Sequence, residues 1–211
     1  MSRFESSRFA RNSQIMNANI LMAACIVLGW KYSVQNNILF VTDIGNGSNF
    51  YGEFALKLNM STNEVTYNTY YMPNALDKVE ELKEKFQELN AEYSKNALIS
   101  EFEKVGFTYR SDFTFVPTKE EKFSFFMEAK SYDPLEDEPF ASIKFTILID
   151  GTIVTDSDYL PNDVNEKAHE AMDILEQHLG NKRVMTKKSV PAKYVSKMRP
   201  RRKINIDLNS L

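Results

Sequence analysis

The sequence predicts an α+β protein: an antiparallel sheet with packed helices, then a small β-hairpin-plus-helix unit, then a basic tail. Three observations predict it. Short alternating apolar segments, punctuated by Asn, Asp and Gly, fill 31–70 and 107–129. Long segments of helical period separate and follow them. The charge is split: residues 181–211 hold ten bases and one acid, Asp207, against totals of 26 bases and 29 acids. Residues 1–180 therefore stand at −12 and residues 181–211 at +9, within a net charge of −3.

The first helix is expected from Ser13 to Leu28. Asn12 or Ser13 caps it and Gly29 stops it. Its run Ile20–Leu28 is apolar all round, which predicts burial on most sides. The run is too short to cross a membrane, which takes roughly 20 residues. No small-residue cleavage site follows it, so it does not read as a signal peptide.

Strands are expected at Lys31–Val34 and Ile38–Ile44, with Asn36-Asn37 as the hairpin turn. Gly45-Asn46-Gly47-Ser48 is a further turn. Phe50–Asn59 alternates, placing Phe50, Gly52, Phe54, Leu56 and Leu58 on one face. Val65–Tyr70 completes an antiparallel meander.

Met72-Pro73-Asn74 opens a long helix from Ala75. Leu76, Val79, Leu82, Phe86, Leu89 and Tyr93 form one apolar stripe, and Glu and Lys fill the other face. The pattern continues through Leu98 and Phe102 to a stop at Gly106, with a bend expected near Ser94–Asn96. Aromatics at the seam favour a helix lying on the sheet over a coiled coil.

Phe107–Val116 and Phe123–Ala129 read as another strand pair. The acidic, proline-containing segment 131–141 reads as a linker. Ser142–Ile149, an Asp150-Gly151 turn, Thr152–Thr155 and a helix from Val164 to Leu179 make the last unit. Such a unit is too small to bury much surface alone, so it should dock on the larger domain or on a partner. The expected organisation is 1–130, a linker at 131–141, a ββα unit at 142–194, and a basic flexible tail at 195–211.

The chemistry-bearing residues point to no enzyme. His169 and His178 lie nine positions apart on one helix, on opposite faces, and cannot share a metal through it. Cys25 is flanked by Ala24, Ile26 and Val27 and reads as an inert core thiol. Being the single cysteine, it permits no internal disulfide, which fits a reducing, cytoplasmic setting. Gly45-Asn46-Gly47 lacks the helix and third glycine of a dinucleotide site. Asp133, Glu136, Asp137 and Glu138 lack the spacing of a calcium loop, and Asp156 and Asp158 read as exposed strand-end acids. No cofactor and no metal are expected. The Asn-x-Ser matches at Asn46 and Asn59 read as chance.

The basic segment is the candidate binding site: Lys187, Lys188, Lys193, Lys197, Arg199, Arg201, Arg202 and Lys203. Such a run attracts phosphate backbones without base specificity. Acidic protein surfaces attract it too, this chain's own body included.

Two stretches carry a family resemblance. Met1-Ser2-Arg3-Phe4, Ala23–Gly29 and "ISEFEKVGFTY" (Ile99–Tyr109) resemble an uncharacterised plastid, cyanobacterial and phage open-reading-frame family. "IKFTILIDGTI", "AMDILEQHLG" and "KKSVPAKY" (Ile143–Tyr194) resemble its short companion family of unknown function. The companion family's cysteine near the helix start is missing here, where Asn165 and Ala168 stand. These families are often encoded near MoxR-type AAA ATPases, so the resemblance implies an AAA ATPase as a candidate partner. It implies a host-cell cytoplasmic setting if the chain is phage-encoded.

The expected function is that of a non-enzymatic accessory or adaptor protein acting through protein–protein contact. The alternative is a nucleic-acid-binding protein that uses the basic segment.

Overall fold

The computed structural model describes residues 4–8, 17–45, 54–70, 72–111, 116–129, 141–157 and 160–179. All belong to one compact unit spanning Met1–Asn181. The acidic segment 131–140 and the basic tail lie outside the described residues.

Strands β1 (Phe4–Arg8), β2 (Lys31–Gln35), β3 (Ile38–Asp43), β4 (Leu56–Asn59) and β5 (Glu64–Asn68) form one antiparallel sheet in the order β1-β5-β4-β3-β2. Strands β6 (Phe107–Arg110), β7 (Glu121–Ala129), β8 (Ala141–Leu148) and β9 (Ile153–Ser157) form a second, in the order β6-β7-β8-β9. The helices are α1 (Ala18–Val27), α2 (Ala75–Lys104) and α3 (Asn162–Leu179). The α+β class expected from the sequence is the class observed.

Local chemistry sets the turns. Asn36 and Asn37 both take positive φ, 50° and 61°, the conformation a two-residue hairpin needs. Gly29 and Gly106, at φ 72° and 95°, end α1 and α2 in the same way. Each donates its N–H to the carbonyl three residues back, Ile26 and Glu103. Helix α1 is capped by Asn17, whose side chain accepts from the Asn19 N–H at 3.0 Å. Residues 9–16 lie outside the described set, and the Asn12 or Ser13 cap with them.

Helix α2 is unbroken over its 30 residues and serves two cores in succession. Its N-terminal half buries Ala75, Val79 and Leu82 against α1 and the first sheet, with Trp30, Leu39, Val41 and Leu58. Its C-terminal half buries Ala91, Leu98 and Phe102 against α3 and the second sheet, with Phe125, Phe145 and Ala171. At 100° per residue these two buried faces are about 150° apart around the axis. The expected single stripe therefore fails at its ends. Leu76 and Tyr93 are exposed, because Ala75 takes the inward position and Tyr93 lies beyond the first core, where the buried face has turned.

Strand lengths also depart from expectation. Phe54 precedes β4 instead of sharing the Leu56 and Leu58 face. Ala55 and Leu56 are both fully buried, so the alternation breaks there. Phe54 packs edge-on to Phe40 at 5.9 Å and lies under the Lys57 amine, with Phe40 and Lys57 on the sheet's other face. Strand β1 was not expected. The expected boundary at 131–141 falls between paired strands, since β7 and β8 run together from Glu121↔Leu148 to Ala129↔Ala141. The last hairpin and α3 thus complete the second sheet and its core.

The two halves repeat one plan: helix, four-stranded meander, helix, with α2 shared. The register repeats as well. Leu39↔Leu58 and Val41↔Leu56 in the first sheet correspond to Phe125↔Phe145 and Met127↔Ile143 in the second, and all eight are buried. The sequence carries the same repeat, at constant spacing from the first helix of each half into its first strand. Leu21, Cys25, Leu28, Gly29, Trp30 and Tyr32 match Leu98, Phe102, Val105, Gly106, Phe107 and Tyr109. Met72-Pro73-Asn74 before α2 matches Leu160-Pro161-Asn162 at the start of α3.

Candidate functional site

The basic candidates Lys187, Lys188, Lys193, Lys197, Arg199, Arg201, Arg202 and Lys203 lie outside the described residues, as do Asp133, Glu136, Asp137, Glu138 and Asp158. Of the rest, His169 is exposed on α3 and Asp156 is exposed on β9. Cys25 is fully buried in the first core, and burial pushes its thiol up to about 12. Among the described residues, no three His, Cys, Asp or Glu side chains come together as a metal site.

The first surface feature lies at the start of α2. The buried Asn68 side chain accepts from the Tyr70 N–H at 3.1 Å, and the Met72 N–H bonds the Asn68 carbonyl, turning the chain out of β5. This turn opens a depression of about 700 Å³ lined by Glu5, Tyr67, Tyr70, Pro73, Leu76 and Asp77, among others. Tyr70 and Leu76 are both more than half exposed there.

The second feature is the end of α1. Ile26 and Val27 are 65% and 59% exposed, although the run they belong to was expected to be buried on most sides. Helix α1 packs on α2 and β2, which bury Leu21, Ala24 and Cys25 and leave the opposite side of the last turn to solvent. The repeat makes this pair conspicuous. The matching positions at the end of α2 are Glu103 and Lys104, both exposed and charged. Polar residues suffice at this place in the fold, so the apolar pair in the first half is not required by packing.

The third feature is the face of each sheet turned away from the helices. In the first sheet one row runs Ser33, Phe40, Lys57, Thr66, Ser6. In the second it runs Arg110, Phe126, Lys144, Asp156. The Phe–Lys neighbours occupy equivalent places in both. Beside the second row, Arg110 Nη1 donates to Glu128 Oε1 at 2.8 Å. At the edge of the first sheet, Lys31 donates to Asp43 at 2.9 Å, which with the Gly45 N–H holds the Asp43 carboxyl below its ordinary range.

Sequence reading missed both Ile26–Val27 and the depression. The signal for the first was present in the matched segments Leu21–Tyr32 and Leu98–Tyr109, where one member is apolar and the other charged. The depression depends on β1, whose short sequence Phe-Glu-Ser-Ser-Arg carries no alternating apolar pattern.

Compared with known proteins, the chain matches no protein-family model, no curated protein and no solved structure.

Proposed function

We propose that this chain is a non-enzymatic accessory or adaptor protein that binds a partner protein through the end of α1. The observation that carries the reading is the exposed Ile26–Val27 pair, set where the repeat's other copy has Glu103–Lys104. An apolar pair held in water by a packed helix loses free energy only when something covers it, by about 25 cal/mol for each Å² removed. The nearby family resemblance suggests an AAA ATPase as one partner to look for. Affinity purification of the tagged chain, compared with a variant carrying Ile26→Glu and Val27→Lys, tests the reading. The double substitution writes the second half's charges into the first, and should release the partner while leaving the thermal midpoint unchanged. Recovery of no stoichiometric partner, or equal recovery with both proteins, would refute it.

A second reading has its own support, the +9 charge of residues 181–211. On this reading Lys187–Lys203 contacts nucleic-acid phosphates. Binding should fall steeply with salt and vanish on deletion of 181–211, and truncation after Tyr194 should separate the Met198–Lys203 run from the segment before it. Affinity that survives the deletion would rule it out.

A further inference from the structure

Among the described residues, the second sheet has no strand at the place β1 fills in the first. In the first sheet β5 lies between β4 and β1. The Asn68 N–H donates to the Ala55 carbonyl at 3.1 Å, on the β4 side. By antiparallel alternation Thr66 and Asn68 serve β4, while Val65 and Tyr67 turn their backbone groups toward β1. In the second sheet the Leu148 N–H donates to the Thr152 carbonyl at 2.8 Å. The same alternation gives Val154 and Asp156 to β8, and turns the N–H and C=O groups of Thr155 and Ser157 to the far side. Register places Thr155 and Ser157 where Val65 and Tyr67 stand, so they face the equivalent of the β1 position.

Strand β9 ends its sheet among the described residues. Residues Val154 to Ser157 are all exposed, Val154 at 46%. Two of the other three edges, β2 and β6, carry features that discourage pairing. Strand β2 has Lys31 and a register shift beside it, and β6 is only four residues long with the exposed Arg110. Strand β9, Ile-Val-Thr-Asp-Ser, has no bulge, proline or lysine, and three of its five residues are β-branched.

We propose that β9 accepts an extended segment of a partner protein as a fifth, antiparallel strand, in the place β1 fills in the first sheet. Charge selects the segment. Lys144 and Asp156 are cross-strand neighbours on the outer face, so the next residue across from Asp156 is basic, Lys or Arg. Main-chain bonds to Thr155 and Ser157 hold the segment, and Asp156 sets its register. The inference rests on the adaptor reading but uses a different surface from Ile26–Val27.

The test is selection of a random-peptide display library on the full chain, followed by anisotropy measurements with a labelled synthetic copy of an enriched peptide. Enriched peptides should share one Lys or Arg within a β-forming stretch. Thr155→Pro removes an outward N–H and no bond to β8, and should weaken binding about tenfold or more. Asp156→Lys should weaken binding similarly and select acidic peptides in place of basic ones. Hydrogen exchange on the unaltered protein should show Thr155 and Ser157 slowed by the peptide, which decides the matter even if the proline variant folds poorly. No enriched peptide, unchanged affinity with Thr155→Pro, or slowing elsewhere overturns the proposal. So does binding that appears only after deletion of 181–211, which would assign the edge to the chain's own segment. Dimerisation abolished by Thr155→Pro would assign it to a second copy and overturn it too. A partner protein captured equally by Thr155→Pro removes this inference and leaves the adaptor reading standing; release by the α1 variant alone supports that reading independently.

Discussion

If α2 is a spine shared by two cores, damage to one core must be felt in the other. Phe102 gives the means to test this. It is 1% exposed in the second core and packs edge-on against Phe107 at 5.2 Å and Phe145 at 4.9 Å. Phe102→Ala removes a whole ring from this cluster, at a cost of about 3–5 kcal/mol. For a chain of this size that lowers the thermal midpoint by about 6–20 °C. The only tryptophan, Trp30, is buried in the first core and reports on that half alone. Unfolding followed by Trp30 fluorescence and by far-ultraviolet circular dichroism should shift together, in one transition, for Phe102→Ala. A Trp30 midpoint left in place while the circular dichroism midpoint falls would mean the halves unfold separately, and would refute the shared-spine argument. A loss under about 1 kcal/mol would refute the placement of Phe102 itself.

Other substitutions probe single contacts. Gly151 has φ 85°, and a Cβ there would come within 2.9 Å of Asn90 Nδ2 on α2. Gly151→Ala should therefore cost about 1–2 kcal/mol for the left-handed backbone, plus the shift of Asn90, while Gly29→Ala, with open space around it, bears the backbone term alone. Urea denaturation of the two variants measures the difference. The Lys95 amine lies 5.6 Å from the Tyr109 ring centre and 5.1 Å from that of Phe123. Lys95→Gln should cost about 1 kcal/mol in the same assay, with little effect of salt on the difference. The Cys25 thiol stays neutral in the fold, raised by burial from 9.0 to about 12, whereas the unfolded chain ionises from about pH 9 upward. Its contribution is intact below pH 9 and is lost as pH rises toward 12, by about 1.4 kcal/mol at pH 10. Cys25→Ala should flatten this part of the stability–pH curve, and iodoacetamide should label the wild-type thiol only after denaturation.

The elements written in local chemistry were legible in the sequence. Asn36-Asn37, Asp150-Gly151, Gly29 and Gly106 marked turns and helix ends because their backbone conformations are demanded within a few residues. Partnership between elements was not. The stripe on α2 looked single because Tyr93 extends the first face in projection, and only the second sheet's position shows that the buried face has turned. Phe54 looked inward by alternation, which the doubly buried Ala55–Leu56 pair interrupts. The joining of β7 to β8 is a long-range pairing across residues 130–140, a segment whose composition reads as a linker. The repeat was available as matched residues, yet a Cys25–Phe102 or Leu28–Val105 match gains meaning only once both are known to close equivalent cores. Of the candidate surfaces, the charge of residues 181–211 is visible by counting, whereas exposure of Ile26 and Val27 runs against their hydropathy and required the fold.

That this chain binds a partner protein through the end of α1 can be checked in a single comparison. Tagged wild-type chain and the Ile26→Glu, Val27→Lys variant are purified from the same cells, and co-eluting proteins are quantified. A stoichiometric partner should co-elute with the wild type and be lost with the variant, at equal thermal midpoints. A partner held equally by both proteins, or none held by either, contradicts it.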